Sequence, residues 1–545
     1  MFLICIVSTF FRTYLLSGQR PVLDCMVMHC LDGKIINTGL RSCIPDRNDR
    51  KKGVIMCGIA GLFGTPDSNI DVKKMLAALG HRGPDACGIY TAGDLSIGNT
   101  LLKITGDMPQ PLTGIGALVL NGEIFNFREL AAEIGLKTDS DTELLFSLIE
   151  TGVKEGSTPI NAVFSALSKV NGDYALAYAC GGELVLARDP SGVKPLFYCS
   201  GKEAEKPEIA FASEKKALTC IGRKAKPFPQ GGILGFNTEN GKISEKTPEG
   251  YLKTKSPEKR IHAEKEALFH LKAALEKAVE LRLTPTAGIA FSGGIDSTFL
   301  AALAKRIDPD IPLYAVGLPD SHDVAQAESA AEAIGMKRNL KVHFLSPEEI
   351  EAAVPQVIYA TGSTDPMTVA IGLPLYIVAK TAREDGKRVL LTGQGADELF
   401  GGYRRHEGFL EQGPDVLDRE IYSDLESIST INLERDDMVT MANSVELRVP
   451  FLDKEVIKTG LTISPELKVL KKDGLYTRKY ILRKAAEGLV SPEVLWKEKK
   501  AMQYGTGVQK VLDWLARDSG FSKKQGNHIE KYLMQIASEK AGINE

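Results

Sequence analysis

Seven residues near the middle of the chain, Phe291-Ser292-Gly293-Gly294-Ile295-Asp296-Ser297, constrain it more than any other stretch. The apolar lead-in Gly288-Ile289-Ala290-Phe291 predicts a buried strand, and Thr298-Phe299-Leu300-Ala301-Ala302-Leu303 predicts the start of a helix. Between them lie two glycines and two serines with no bulky side chain. Such a turn lets backbone N–H groups approach a phosphate, with a helix N-terminus behind them. Asp296 is the odd member, because a carboxylate beside phosphates is repulsive unless a cation stands between. An ordinary strand–turn–helix corner would explain Gly293 and Gly294, but not Asp296 and both serines in one turn. The loop therefore predicts a nucleotide held by its phosphates together with a metal ion.

The neighbourhood supports a parallel sheet. A 3.6-residue apolar period over residues 262–283 predicts a helix, and strands follow at 312–318, 341–345 and 389–392, with a helix at 325–334. Strand–helix alternation implies a doubly wound parallel sheet with ligands at the strands' carboxyl ends. A second glycine-rich turn, Gly393-Gln394-Gly395-Ala396-Asp397-Glu398, again sets a carboxylate just beyond a strand end. Asp296 and Asp397 together suit a magnesium ion bridging the phosphates of ATP, since magnesium takes few carboxylates plus phosphate oxygens. No G-x-x-x-x-G-K-[ST] occurs, so a Walker-type ATPase is excluded.

Composition sets outer limits. A formal charge of −3 argues against nucleic acid as a partner, and no run approaches the roughly 20 apolar residues needed to span a bilayer. Nine cysteines in 545 residues, none at zinc-ribbon spacing, point to a reducing cytoplasmic setting. Residues 1–55 stand apart, with four of those cysteines and a net charge of +4. Their apolar run lacks a basic lead-in and a small-residue cleavage site, so a signal peptide is not expected. They read as an extension outside the mature protein, with translation starting at Met56 as the preferred explanation and cleavage of the extension as the other.

The first half carries a second set of motifs: Met56-Cys57-Gly58-Ile59, His81-Arg82-Gly83-Pro84-Asp85, Asn121-Gly122-Glu123-Ile124-Phe125-Asn126, and Ser140-Asp141-Thr142-Glu143 with a capping-box pattern. Arg188-Asp189-Pro190-Ser191-Gly192-Val193-Lys194 and Ala212-Ser213-Glu214 continue the set. Together they resemble the glutamine amidotransferase domain of the N-terminal-nucleophile type. The resemblance implies a four-layer αββα sandwich in which Cys57 attacks glutamine. Its free α-amine, with a pKa of about 8, would serve as the base. It further implies that Asn121 and Gly122 form the oxyanion hole, while Glu123 and Asp141 hold the substrate's α-amino group.

The two glycine-rich turns resemble an ATP-pyrophosphatase (adenylating) domain. With Glu446-Leu447-Arg448-Val449-Pro450-Phe451-Leu452-Asp453 and Lys497-Glu498-Lys499-Lys500, residues 56 to about 510 resemble glutamine-hydrolysing asparagine synthetases. The resemblance implies that Ala290, Ser292, Gly293, Gly294, Asp296, Ser297, Val316, Thr392, Gly393 and Lys499 bind ATP. Gln394 would lie at the adenylating centre, with glutamine, aspartate and ATP as small-molecule substrates. The expected division is an extension at 1–55, an amidotransferase domain at 57–235, a linker at 236–260, a synthetase domain at 261–515 and a tail at 516–545. A homodimer is left open.

Three positions depart from the family pattern. Leu101 stands where an arginine usually grips the glutamine carboxylate. Gln394 replaces a glutamate, and Ala370 replaces an arginine that often meets the phosphates. They keep three rivals open: a β-lactam synthetase-like ligase acting on another carboxylate, an ammonia-dependent synthetase, and a silent ATP or amino-acid sensor. Phosphoribosyl-pyrophosphate amidotransferases, which share only the first domain's motifs, rank last.

Overall fold

The computed structural model describes residues 26–31, 34–36, 55–104, 108–203, 206–246, 259–497 and 502–540. Its first part packs two sheets face to face. One sheet has the order β12-β10-β11-β3-β5-β4-β1-β2, built from β1 (Met26–Leu31), β2 (Lys34–Ile36), β3 (Ile55–Phe63), β4 (Ala86–Ala92), β5 (Leu95–Lys103), β10 (Phe197–Glu203), β11 (Lys206–Ala212) and β12 (Lys226–Pro227). The other has the order β14-β13-β9-β8-β7-β6, from β6 (Leu112–Thr113), β7 (Ala117–Ile124), β8 (Gly172–Cys180), β9 (Glu183–Arg188), β13 (Ile233–Asn237) and β14 (Ile243–Lys246).

The period of two along β7 explains why both its faces are apolar. Ala117 and Val119 meet Ile59, Ile97 and Phe211 between the sheets. Leu118 and Leu120 face outward against Leu144, Leu145 and Val163 of the helices Asp141–Lys154 and Pro159–Lys169. The helix Ser68–Ala78 covers the other sheet through Val72, Met75 and Leu76. The result is the expected αββα sandwich.

The second part holds a five-stranded, all-parallel sheet of β15 (Ala287–Ala290), β16 (Leu313–Gly317), β17 (Leu340–Phe344), β18 (Val389–Leu391) and β19 (Glu446–Arg448). The spatial order β17-β16-β15-β18-β19 reverses direction between β15 and β18. Ligand crevices of doubly wound sheets open at that reversal, beyond the strands' carboxyl ends. The loops after β15 and β18 are the two glycine-rich turns singled out from sequence.

Two expected boundaries need correction. Residues 236–246 are not linker: β13 and β14 extend the six-stranded sheet, and the hairpin between them turns at Gly241 with φ of 70°. Lysine- and glycine-rich composition there marks a solvent-facing edge strand. Residues 516–540 are not a loose tail either. Ala516, Ile529, Tyr532, Leu533, Ile536 and Ala537 join the core around the helix Pro347–Thr361. At the other end, β1 pairs in parallel with β4 and antiparallel with β2, an edge hairpin that a chain starting at Cys57 would lack.

Buried ion pairs weld the two parts together. Arg82 Nη1 reaches Glu214 Oε1 at 2.9 Å and Asp437 Oδ2 at 2.6 Å, and Arg188 reaches Glu434 at 3.3 Å. Lys194 meets Glu446 at 3.3 Å, and Asn171 Nδ2 donates to Asp453 at 3.0 Å. The His81-Arg82-Gly83-Pro84-Asp85 turn is thus a docking element, with Ser444 Oγ donating to the carbonyl of His81 at 2.6 Å.

Candidate active site

The first half-site forms where β3 and β7 approach across the sandwich. Cys57 lies on β3, and its backbone pairs with Leu101 of β5. Gly58 N–H donates to Thr100 Oγ1 at 3.1 Å, and Ile59 N–H to Ser213 Oγ at 2.9 Å. From β7, Asn121 Nδ2 reaches the same Ser213 hydroxyl at 3.4 Å, which brings Asn121 to the strand that carries Cys57. Gly122 adopts φ of 154°, and a Cβ there would collide with the backbone of Asp173 on β8. Only glycine lets β7 and β8 approach so closely.

Asp141 opens its helix under the Ser140 cap, whose hydroxyl accepts Glu143 N–H at 3.2 Å. Its own carboxylate accepts Ile124 N–H at 3.0 Å and Thr142 N–H at 2.7 Å. Burial pushes the Asp141 carboxyl up to about 6, against the pull of those N–H groups and of Arg448. Glu123 is held by Arg448 Nη2 at 3.1 Å. Leu101, 2% exposed, sets an apolar side chain directly opposite Cys57, where the resemblance expects arginine.

The second half-site is the switch-point cleft. Ala290, Ser292, Asp296, Ser297, Val316, Thr392, Gly393, Gln394 and Asp397 line one cavity. Gly293 takes φ of 67°, and the helix Ile295–Lys305 starts directly behind it. The two serine hydroxyls lie 3.3 Å apart, and Ser297 Oγ also donates to the Gly294 carbonyl at 3.2 Å. Gly293 and Gly294 shape this turn without lining the cavity. Ala370, fully buried in the helix Pro366–Glu384, faces the core, while Ile371 and Pro374 of that helix line the cleft. Lys499 lies outside the described residues.

Sequence reasoning missed the residue that ties together two carboxylates of this cleft. Lys479 Nζ sits 2.8 and 2.7 Å from the two oxygens of Asp296 and 2.7 Å from Asp397 Oδ1. Burial alone would lower its pKa, but the two carboxylates more than offset that and raise it. Lys479 holds a left-handed backbone with φ of 55°, an uncommon conformation for a side-chain-bearing residue. Within Tyr476-Thr477-Arg478-Lys479-Tyr480 it reads as one of several solvated cations, and only that strain distinguishes it. Arg435, Asp436 and Asp323, which line the cavity, were missed too. Glu398, next to Asp397, accepts Tyr403 Oη at 2.5 Å and Asn432 Nδ2 at 3.0 Å. Burial, with Asp397 beside it, pushes Glu398 up to about 7.

Asp296 and Asp397 bring two carboxylates of the kind a hard divalent cation takes to one point, and there the Lys479 ammonium holds both; magnesium would have to share these carboxylates with Lys479.

An αββα sandwich with these motifs, fused to a doubly wound sheet with paired phosphate-type loops, defines a two-domain glutamine amidotransferase. The family model described as asparagine synthase matches residues 270–411 and 409–534, and the one described as glutamine amidotransferase domain matches residues 56–230. A Methanocaldococcus jannaschii protein named as an asparagine synthetase (glutamine-hydrolysing) is 34% identical, over 89% of this chain and 100% of its own. Asparagine synthetase B (glutamine-hydrolysing) of Escherichia coli is 28% identical, with 83% of each chain covered. The chain belongs to the family of glutamine-hydrolysing asparagine synthetases. A solved glutamine phosphoribosylpyrophosphate amidotransferase from B. subtilis covers 53% of this chain and 65% of its own at 19% identity, with a TM-score of 0.31. No helix among the described residues is long and apolar enough to cross a membrane.

Proposed function

We propose that this chain converts aspartate, ATP and glutamine into asparagine, glutamate, AMP and pyrophosphate. The amidotransferase domain runs from Cys57 to residue 246 and the synthetase domain from residue 259 to 540. With Cys57 freed as the first residue, its α-amine takes the thiol proton and returns it to the leaving ammonia as the thiolate attacks the side-chain amide of glutamine to form a thioester; water then releases glutamate. Asn121 Nδ2 and the Gly122 N–H stabilise the oxyanion, and Glu123 and Asp141 receive the α-ammonium group. In the second cleft the aspartate β-carboxylate attacks the α-phosphorus of ATP and expels pyrophosphate. Ammonia then displaces AMP from the β-aspartyl-adenylate.

The convergence of Asp296, Asp397 and Lys479 beside the serine–glycine turn carries this reading. Magnesium held by Asp296 and Asp397 would neutralise phosphate charge. Lys479 supplies a positive charge to the departing pyrophosphate, and the 292–297 turn offers N–H donors to the phosphates. Gln394 lines the cleft but cannot accept a proton, so it acts as a hydrogen-bonding group. The same reading sets the enzyme in the cytoplasm and leaves its assembly state to light scattering.

The test is pyrophosphate and asparagine formation with aspartate and ATP, driven by glutamine or by ammonium. Substituting Cys57→Ala is expected to abolish the glutamine-driven reaction and spare the ammonium-driven one. Pyrophosphate release with another carboxylic acid but not with aspartate would overturn the assignment.

A further inference from the structure

Arg448 touches both half-sites. Its main-chain carbonyl accepts Thr392 N–H at 3.0 Å, and Thr392 leads directly into Gly393 and Gln394 of the cleft. Its side chain, 1% exposed, crosses into the first domain, where Nη2 donates to Glu123 Oε2 at 3.1 Å. Glu123 lies two residues from Asn121 on β7. Arg448 also donates through Nε to Glu446 Oε1 at 3.2 Å and through Nη1 to the Arg282 carbonyl at 3.1 Å.

The proposed function, on which this inference rests, assigns Glu123 to the α-ammonium of glutamine. An arriving ammonium and the Arg448 guanidinium then compete for one buried carboxylate. Like charges at contact distance in a partly dry site repel strongly, so the arginine must give way. The geometry supplies its retreat, because Glu446 already holds Nε at 3.2 Å and Nη2 at 3.4 Å. Lys194 faces Glu446 from the other domain at 3.3 Å, and Arg282 is pinned to Asp453 at 2.6 Å. Neither can follow the arginine without breaking its own pair. A shift of Arg448 therefore bears on its own carbonyl and on the Thr392 amide hung from it.

We propose that Arg448 is a positioning residue that couples glutamine occupancy of the first domain to the geometry of the ATP loop in the second. Because linkage between binding free energies is reciprocal, an occupied ATP cleft must alter glutamine affinity by the same factor, and the glutamine KM follows that affinity where hydrolysis is slower than glutamine release.

The experiment measures the KM for glutamine hydrolysis with and without α,β-methylene-ATP plus aspartate, and separately the ammonium-driven pyrophosphate rate. In the unsubstituted chain the ATP analogue is expected to change the glutamine KM about fivefold or more, a usual size for coupling. Arg448→Lys, which cannot hold both Glu123 and Glu446 in one fork, is expected to shrink that effect below about twofold. Its ammonium-driven rate should stay within about threefold. A variant that retains the ATP effect, or whose ammonium-driven rate collapses with it, overturns the proposal. Should Arg448→Lys fail to fold, Glu446→Gln removes the retreat instead. It is expected to raise the glutamine KM with the ammonium-driven rate preserved, and an unchanged KM would overturn the proposal. Absence of ammonium-driven pyrophosphate in the unsubstituted chain would instead strike at the proposed function, so the two failures are distinguishable.

Discussion

Lys479 donates to both carboxylate oxygens of Asp296, at 2.7 and 2.8 Å, from a position 183 residues away in sequence. The two residues come from distant segments of the second domain, and their meeting fixes the charge balance between the two loops. With Asp397 on the same ammonium, one buried cation holds two carboxylates that would otherwise repel.

Replacing Lys479 with Met should therefore separate the two activities. Pyrophosphate formation is expected to fall by about 100-fold or more, the usual size for losing a charge that meets a developing anion. Glutamine hydrolysis measured without ATP should change less than about twofold. A coupled pyrophosphate assay and a glutamate assay on one preparation read both.

Gly402 approaches the same cluster so closely that a Cβ would collide with the Asp397 carboxylate and with Lys479 Cε. Gly402→Ala should push Asp397 away from Lys479 and weaken ATP binding. The expected stability cost is about 1–3 kcal/mol, as for other overpacked sites. Thermal unfolding with and without ATP measures both effects.

Asp141 gives the glutamine-driven reaction a pH dependence. Its folded-state pKa of about 6 lies above the unfolded value of about 3.9. The native state thus binds this proton more tightly, and Asp141's stabilising contribution is present below about pH 4 and lost as pH rises through about 6. Binding an ammonium needs the ionised form, so the glutamine KM should climb as pH falls below about 6. Asp141→Asn should remove that limb, raise the unfolding temperature at pH 7 and weaken glutamine binding throughout. A KM profile from pH 5 to 8 checks the sign.

The C-terminal helix His528–Lys540 is a structural member of the second domain. Leu533, fully buried against the core around Pro347–Thr361, should cost about 2–5 kcal/mol when cut to alanine. Chemical denaturation checks this, and a chain ending at residue 520 should lose the ATP-dependent activity altogether.

Local chemistry marked the site's loops in the sequence. Small residues after an apolar run announced the turn at 291–297, and the same pattern marked 393–397, because backbone approach to phosphate demands glycine and short side chains at fixed offsets. The alternation of strands and helices likewise announced the parallel sheet. The Asn121-Gly122-Glu123 and Ser140-Asp141 motifs came with roles borrowed from the resemblance.

What the sequence could not rank was any residue whose importance comes from distant partners. Lys479 looks like one surface cation among many until folding buries it between Asp296 and Asp397. Arg448 looks like part of a motif until its carbonyl meets Thr392 and its guanidinium meets Glu123. Edge strand β14 and the helix His528–Lys540 read as linker and tail in the sequence, since polar composition records exposure on one face and says nothing of what covers the other. Covalent neighbours set turn chemistry and periodicity, so those were legible from the chain alone. Electrostatic partnership and burial depend on which distant segments pack together, and only the tertiary structure decided them.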